Sequence, residues 1–428
     1  MSNTPDRESR IWHPYTRFTA MSGGPLPSIS GGEGIYLFDE SGKRYIDAIS
    51  SWWCSTLGHN HPRLVSAIKE QAGRLQHSIL GNLSNPWARE LASRLSEKMP
   101  TPGRHVMFSS DGSCAVDAAL KMALQYHHNL GRRGRTRFLT LEQDYHGDTM
   151  GAVSVGYVPE FHRPFEFLSS ASYTVPLPDY TSGNGAEPTA RLLGEHGDEI
   201  AAVIVEPLVQ GAAGMRMYDA RYLRDLEVLC REHGVLLIVD EIAMGFGRTG
   251  RYWAFGHAGV DPDIVCVGKG VTGGCLPLSA AICKDYVYET FTDEGERDNT
   301  FYHGHTFGGN PIAAACALEA MRVYDEMDIA GRAERLGRLM AKELGSMHGR
   351  PGIKEVRSLG LIGAVELMPS DDTPGRAAAI REALRTEGVL LRPLGNVFYL
   401  MPPLIITEEE LTSLCGRFID VILRHIRG

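Results

Sequence analysis

Between residues 104 and 283 the chain alternates short apolar runs with segments of helical periodicity. The runs RHVMFSS (104–110), RFLTL (137–141), AAVIVEP (201–207), VLLIVDE (235–241), DIVCVGKG (263–270) and LSAAIC (278–283) have strand length and are apolar at consecutive positions, which predicts burial of both faces. Between them, GSCAVDAALKMALQYHH (112–128) sets Val116, Ala119, Leu120, Ala123 and Leu124 on one helical face. The segment RYLRDLEVLCREHG (221–234) does the same with Leu223, Leu226, Leu229 and Cys230, and Gly234 is placed to cap it. This alternation predicts an α/β fold: a large, mostly parallel sheet covered by helices on both faces.

After about residue 315 the pattern changes to long helices, followed by LIGAVEL (361–367) and GVLLRPLGNVFYLMPP (388–403). A last amphipathic helix opens at a capping box, Thr407 with Glu410, and runs through Leu411, Leu414, Phe418 and Ile422. The expected division is an N-terminal segment (1–60) that contributes to a smaller domain and to the wall of the site, a large domain (61–314) and a C-terminal small α+β domain (315–428). The stretches 180–190 and 368–375 are rich in Gly, Pro and polar residues and predict surface loops.

Composition narrows the function classes. A chain of 428 residues with 43% apolar content can fill the cores of two domains. The net charge is −9 with both signs interspersed, which excludes the basic footprint of a nucleic-acid or anionic-membrane binder. No apolar run approaches the roughly 20 residues that span a bilayer, and the N-terminus lacks the apolar core of a signal peptide, so a cytoplasmic location is expected. Eight scattered cysteines, without a Cys-x-x-Cys pair, are expected to be reduced thiols. The pairs His59/His61 and His303/His305 sit among turn-forming residues without acidic or cysteine partners at ligand spacing, and no metal is expected.

Candidate chemistry collects where the strands end, because ligands of open parallel sheets bind beyond their carboxyl ends. Gly112-Ser113 follows a strand and opens a helix, a place suited to phosphate. Glu206, Asp240 and Lys269 each follow an apolar run, and the last two lie about one βαβ unit apart. Two other motifs are decoys. GFGRTG (245–250) has dinucleotide-loop spacing but follows Asp240-Glu241 instead of joining strand to helix, and neither Gly42-Lys43 nor Gly268-Lys269 precedes the Ser or Thr of a Walker loop. A lone strand-end lysine is ordinarily solvated, but the companions of Lys269 change that reading. Pyridoxal phosphate needs a lysine for its Schiff base, a carboxylate for its ring nitrogen and a phosphate cradle, which Lys269, Asp240 and Gly112-Ser113 supply together. The glycines flanking Lys269 are expected to let the backbone approach the ring.

With these residues assembled, the chain resembles the class III aminotransferases, pyridoxal-phosphate-dependent transferases of fold type I, from about Trp12 to the C-terminus. The motifs that carry the resemblance are SDGSCAVDAALKMA (110–123), YHGDT (145–149), IVDEIAMGFGRTG (238–250), VGKGVTGG (267–274) and HGHTFGGNP (303–311). Within the class, IWHPYT (11–16), SSWW (50–53), VQGAAGMRMY (209–218) and RPLGNVFYLMPP (392–403) are most similar to the members of biotin synthesis. Those members pass an amino group from S-adenosylmethionine to 8-amino-7-oxononanoate in two half-reactions.

The resemblance implies a homodimer with shared active sites. It implies that Lys269 binds the cofactor and shuttles the proton, that Asp240 pairs with the ring nitrogen, and that Tyr145 and Ile242 cover the two ring faces. Gly112, Ser113 and Thr306 of the partner subunit would bind phosphate. Arg392 would hold the substrate carboxylate, and Trp52, Trp53, Tyr15, Tyr145 and Gly304 would line the substrate site, with Tyr15 beside Lys269 and Asp240 as a catalytic group. A long aliphatic keto acid is complemented by one arginine and an aromatic wall. HSILGNLSNP (77–86) and GGCLP (273–277) look closer to relatives that use lysine, so lysine stands as the alternative donor. Another class III ω-aminotransferase is the competing activity. The aromatic residues, able to stack on a sulfonium or an adenine, favour S-adenosylmethionine.

Overall fold

Seven strands form the largest sheet of the computed structural model, in the order His105–Ser109, Ser279–Cys283, Ile264–Val267, Leu236–Asp240, Ile200–Val205, Arg137–Leu141 and Ser172–Val175. The structure describes residues 10–17, 26–183, 185–293 and 295–426, so parts of the N-terminal segment (1–9 and 18–25) lie outside the described residues. Pairing is parallel throughout except at Ser279–Cys283, which runs antiparallel to both neighbours. The reason is chain length: only residues 268–278 separate it from the preceding strand, too few for the helical crossover that a parallel connection needs.

The strands are buried on both faces, as their continuous apolar runs require. Ala202, Ile204, Ile238, Ile264, Cys266 and Ala281 pack with Ala115, Val116, Ala119 and Ala123 of helix Gly112–Asn129 on one side. Val203, Val205, Leu237, Val239, Val265 and Val267 pack with Leu223, Leu226 and Cys230 of helix Arg221–His233 on the other. That second helix stops at Gly234, whose φ of 60° is left-handed, and the Gly234 N–H returns to Cys230 and Arg231.

A second sheet joins the chain's two ends. The antiparallel strands Ile29–Glu33, Tyr36–Asp39 and Arg44–Asp47 are extended by Val389–Leu390, parallel to Arg44–Asp47. A third, antiparallel, comprises Ile353–Leu359, Ile362–Leu367 and Val397–Leu400. The run 388–403 therefore serves two sheets, broken at Pro393, which has no N–H for a ladder, and at Gly395 with φ 57°. The helix Pro311–Glu326 spans the expected division at 314/315. The last helix, Glu408–Ile426, has its reciprocal box: the Thr407 N–H donates to Glu410 Oε2 at 2.9 Å, and the Glu410 N–H to Thr407 Oγ1 at 3.2 Å.

All eight cysteines are free thiols. Among the described residues no three His, Cys, Asp or Glu side chains converge as metal ligands, and no helix is long and apolar enough to cross a membrane. His59 Nε2 lies 2.9 Å from Asp47 Oδ2.

Two glycines separate backbone strain from steric contact. A Cβ at Gly234 would meet nothing nearer than 3.9 Å, so Gly234→Ala carries the left-handed backbone cost alone, about 1 kcal/mol. A Cβ at Gly360, also left-handed, would lie 2.2 Å from the Thr249 carbonyl carbon, so Gly360→Ala should cost about 3 kcal/mol or more. Urea denaturation of both variants is expected to give that ranking.

Candidate active site

Asp240 ends one central strand, and Lys269 follows its parallel neighbour after a single glycine. The register sets Asp240 opposite Cys266, so both side chains emerge at the carboxyl edge of the sheet. There they line a cavity of ≈ 420 Å³ together with Trp53, Cys54, Gly112, Ser113, Tyr145, Glu206 and Ile242. The exposed part of Lys269 faces this cavity, while the surrounding protein desolvates its amine and lowers its pKa. The charges of Asp240, Cys54 and Glu206 oppose that shift without cancelling it. Lys269 has φ 38°, in the left-handed region, and its Nζ stands 5.2 Å over the Trp53 ring.

The glycines around Lys269 make room for protein neighbours. A Cβ at Gly268 would press on Ile242 Cγ2 at 3.3 Å, and one at Gly270 on Phe246 at 3.1 Å. Their smallness lets the lysine turn pack against the protein.

Behind the cavity stands a buried polar chain. His146 Nδ1 lies 2.8 Å from Asp240 Oδ2, and His146 Nε2 lies 3.8 Å from Asp144. Burial alone would lower the imidazole pKa, but the hydrogen bond to Asp240 and the charges of Asp240, Asp144 and Glu206 raise it overall. His146 thus hydrogen-bonds the same carboxylate that lines the cavity. Glu206 accepts the N–H groups of Tyr145 at 3.0 Å and Gly211 at 2.9 Å, yet burial, with Asp144 nearby, still pushes its pKa up. His146 and Asp144 carried no role in the sequence reading, although His146 stands inside the YHGDT motif and Asp144 just before it. A Cβ at Gly147 would fall 2.3 Å from Ser113 Cβ, so this loop closes onto the helix start.

Gly112 and Ser113 begin the helix Gly112–Asn129, with Asp111 as its N-cap. A Cβ at Gly112 would lie 2.8 Å from Ile242 Cγ2, so Ile242 can lie against the helix start only over a glycine. The Ser113 hydroxyl donates to Asp111 Oδ1 at 2.7 Å and must turn from it to receive a phosphate.

The expected substrate residues separate into an inner and an outer set. Trp53 is 4% exposed, lines the cavity and donates its Nε1–H to the Tyr399 hydroxyl at 3.1 Å. Trp52 and Tyr15 lie outside, 39% and 37% exposed, with ring centroids 5.7 Å apart in an edge contact. The Arg392 guanidinium sits against both, 4.7 Å from the Trp52 ring and 5.3 Å from that of Tyr15, and its Nη2 donates to the Tyr15 carbonyl at 2.8 Å. The Tyr15 hydroxyl hydrogen-bonds Asp148 and stands 3.4 Å from that of Tyr145. Asp148 was not singled out in the sequence. Gly304 and Thr306 are exposed and do not line this cavity within one chain.

Comparison with known proteins agrees with this arrangement. The model of the family "Aminotransferase class-III" matches residues 20–422. The chain is 39% identical over 424 residues to adenosylmethionine-8-amino-7-oxononanoate aminotransferase of Synechococcus elongatus, covering 96% of this chain and 98% of that protein. The crystal structure of the enzyme of that name from Methanocaldococcus jannaschii superposes with a TM-score of 0.92 at 35% identity, covering 97% of each chain. An amine transaminase from an uncultivated Pseudomonas species, in its PLP-bound form, superposes with a TM-score of 0.90 at 33% identity, covering 98% of this chain and 99% of that one. A desolvated lysine, a histidine-backed aspartate on the adjacent strand and a helix start at one cavity thus have the family they fit: the chain belongs to the class III aminotransferases, which depend on pyridoxal phosphate.

Proposed function

We propose that the chain transfers the amino group of S-adenosylmethionine to 8-amino-7-oxononanoate, giving 7,8-diaminononanoate in biotin biosynthesis. The observation that carries this reading is Arg392, whose guanidinium is held against Trp52 and Tyr15. A keto acid with one terminal carboxylate and an apolar chain is matched by one fixed cation and an aromatic wall. Relatives of that name, alike over nearly the full chain, support the choice of substrates.

The residues present fit pyridoxal phosphate: Lys269 and Asp240 share a cavity, and the glycine at 112 leaves Ile242 its place there. When bound, this cofactor supplies an aldehyde carbon that takes up the amino group and a ring that stores the electron pair left at the α-carbon. Asp240 would accept the hydrogen bond of the ring nitrogen, and His146 Nδ1, 2.8 Å away, holds that carboxylate in line. Lys269, its pKa lowered by desolvation, would accept the α-proton of the donor at Nζ. Ile242 and Tyr145, which line the cavity, would flank the ring, and Trp53 closes the inner wall.

Thr306 and Gly304 belong to an exposed loop that also carries Tyr302, 79% exposed, and Phe307, 60% exposed. The nearby Leu80 side chain, against which Gly309 packs, is itself 37% exposed. Such apolar exposure supports a homodimer in which the second copy covers this surface and Thr306 of the partner subunit reaches the phosphate. Lysine as donor is the second reading, and comparing the two donors in the first half-reaction separates them.

Three outcomes are expected. A biotin auxotroph lacking the step that makes 7,8-diaminononanoate grows when given this gene and fails to grow with Lys269→Ala. Arg392→Ala raises KM for 8-amino-7-oxononanoate by about tenfold or more, the loss of one charged hydrogen-bonding partner, with cofactor binding unchanged in a visible absorption titration. Gly112→Ala displaces Ile242 and weakens that same cofactor titration by about tenfold.

A further inference from the structure

The short helix Pro159–His162 lies beside the outer substrate residues, and its last two side chains bear on Tyr15 in different ways. Phe161 meets the Tyr15 ring edge-on, with centroids 5.2 Å apart at 89°. His162 is 3% exposed, lies nearly parallel to the Tyr145 ring at 5.9 Å, and faces Asp148, the carboxylate that accepts the Tyr15 hydroxyl. Its tautomer is fixed from behind. The Val158 N–H donates to His162 Nδ1 at 3.2 Å, so the neutral ring carries its proton on Nε2. That Nε2 is buried, has no closer acceptor among the described residues, and lies 3.5 Å from Asp148 Oδ1. A buried N–H without a partner is costly, so the pair tightens wherever Asp148 can approach.

We propose that His162 is a positioning residue, which through Asp148 holds Tyr15 and its N-terminal segment over the mouth of the active site. Asp148 is faced by the hydroxyls of Tyr15 and Tyr145 and by His162, while Arg392 stands against the Tyr15 ring. Burial raises the pKa of Asp148, but hydrogen bonds from His162, Tyr15 and Tyr145 lower it overall and keep it ionised as an acceptor. Tyr15 needs such a clamp. It is attached through a segment with little burial of its own, and its backbone is left-handed, with φ 51°. Phe161 fixes the ring from the side, the His162–Asp148 pair fixes the hydroxyl, and Arg392 fixes the carbonyl.

This inference rests on Tyr15 as part of the substrate site, and the test separates the two. Holoenzymes with His162, His162→Leu and His162→Gln are compared by hydrogen–deuterium exchange and by steady-state kinetics. With leucine, the amides of residues 11–17 should exchange about tenfold faster, a local loss of protection, while the sheet and the cofactor's absorption are unchanged. KM for 8-amino-7-oxononanoate should rise about tenfold with kcat within about twofold. Glutamine, whose amide can donate near the former Nε2, should restore both. Unchanged exchange at 11–17 in the leucine variant, or faster exchange throughout with no rescue by glutamine, overturns the inference. If the unaltered enzyme does not accept 8-amino-7-oxononanoate, the substrate reading fails, and the exchange at 11–17 still decides His162.

Discussion

Asp240 and Lys269 stand in one cavity because two adjacent parallel strands, Leu236–Asp240 and Ile264–Val267, are locked in register. The lock is made by burial: every residue of both strands is buried, with alternate apolar side chains committed to opposite cores. A slip of one residue would exchange the two faces and carry Asp240 away from the lysine. The active site thus inherits its precision from the sheet, and the chemistry depends on apolar residues that never touch a ligand.

Charge inside this protein is arranged in chains. Asp240, His146, Asp144 and Glu206 place an imidazole among three buried carboxylates beside the cavity. Burial drives the Asp144 and Glu206 carboxyls toward their neutral forms, while the hydrogen bond and carboxylate charges around His146 raise its pKa against the opposing effect of burial. At Lys269 burial prevails and lowers the pKa of the amine. The carboxylates around His146 and the burial around Lys269 therefore shift two bases in opposite directions.

The central strands, the helix after Asp111, the cap at Gly234 and the box at Thr407 were legible because each has a local cause in periodicity or capping chemistry. The edge strand Ser172–Val175 was not, since a short strand of mixed polarity gives no continuous apolar run. Nor was the reversal at Ser279–Cys283 or the split of 388–403 between two sheets; both depend on connection length and on Pro393. Lys269, Asp240, Gly112 and Ser113 were singled out from strand ends and a helix start, Tyr145 and Ile242 from the family resemblance alone, and all six line one cavity. His146, Asp148 and His162 were missed as participants. Their roles arise only when segments far apart in the chain meet, and no spacing along the sequence records that.

The central claim is that one particular amine holds the cofactor. Borohydride reduction of the purified protein loaded with pyridoxal phosphate, followed by peptide mass mapping, tests it most directly. The account predicts one irreversible adduct, on Lys269, with the visible absorption lost on reduction. An adduct on another lysine, or none, would contradict it.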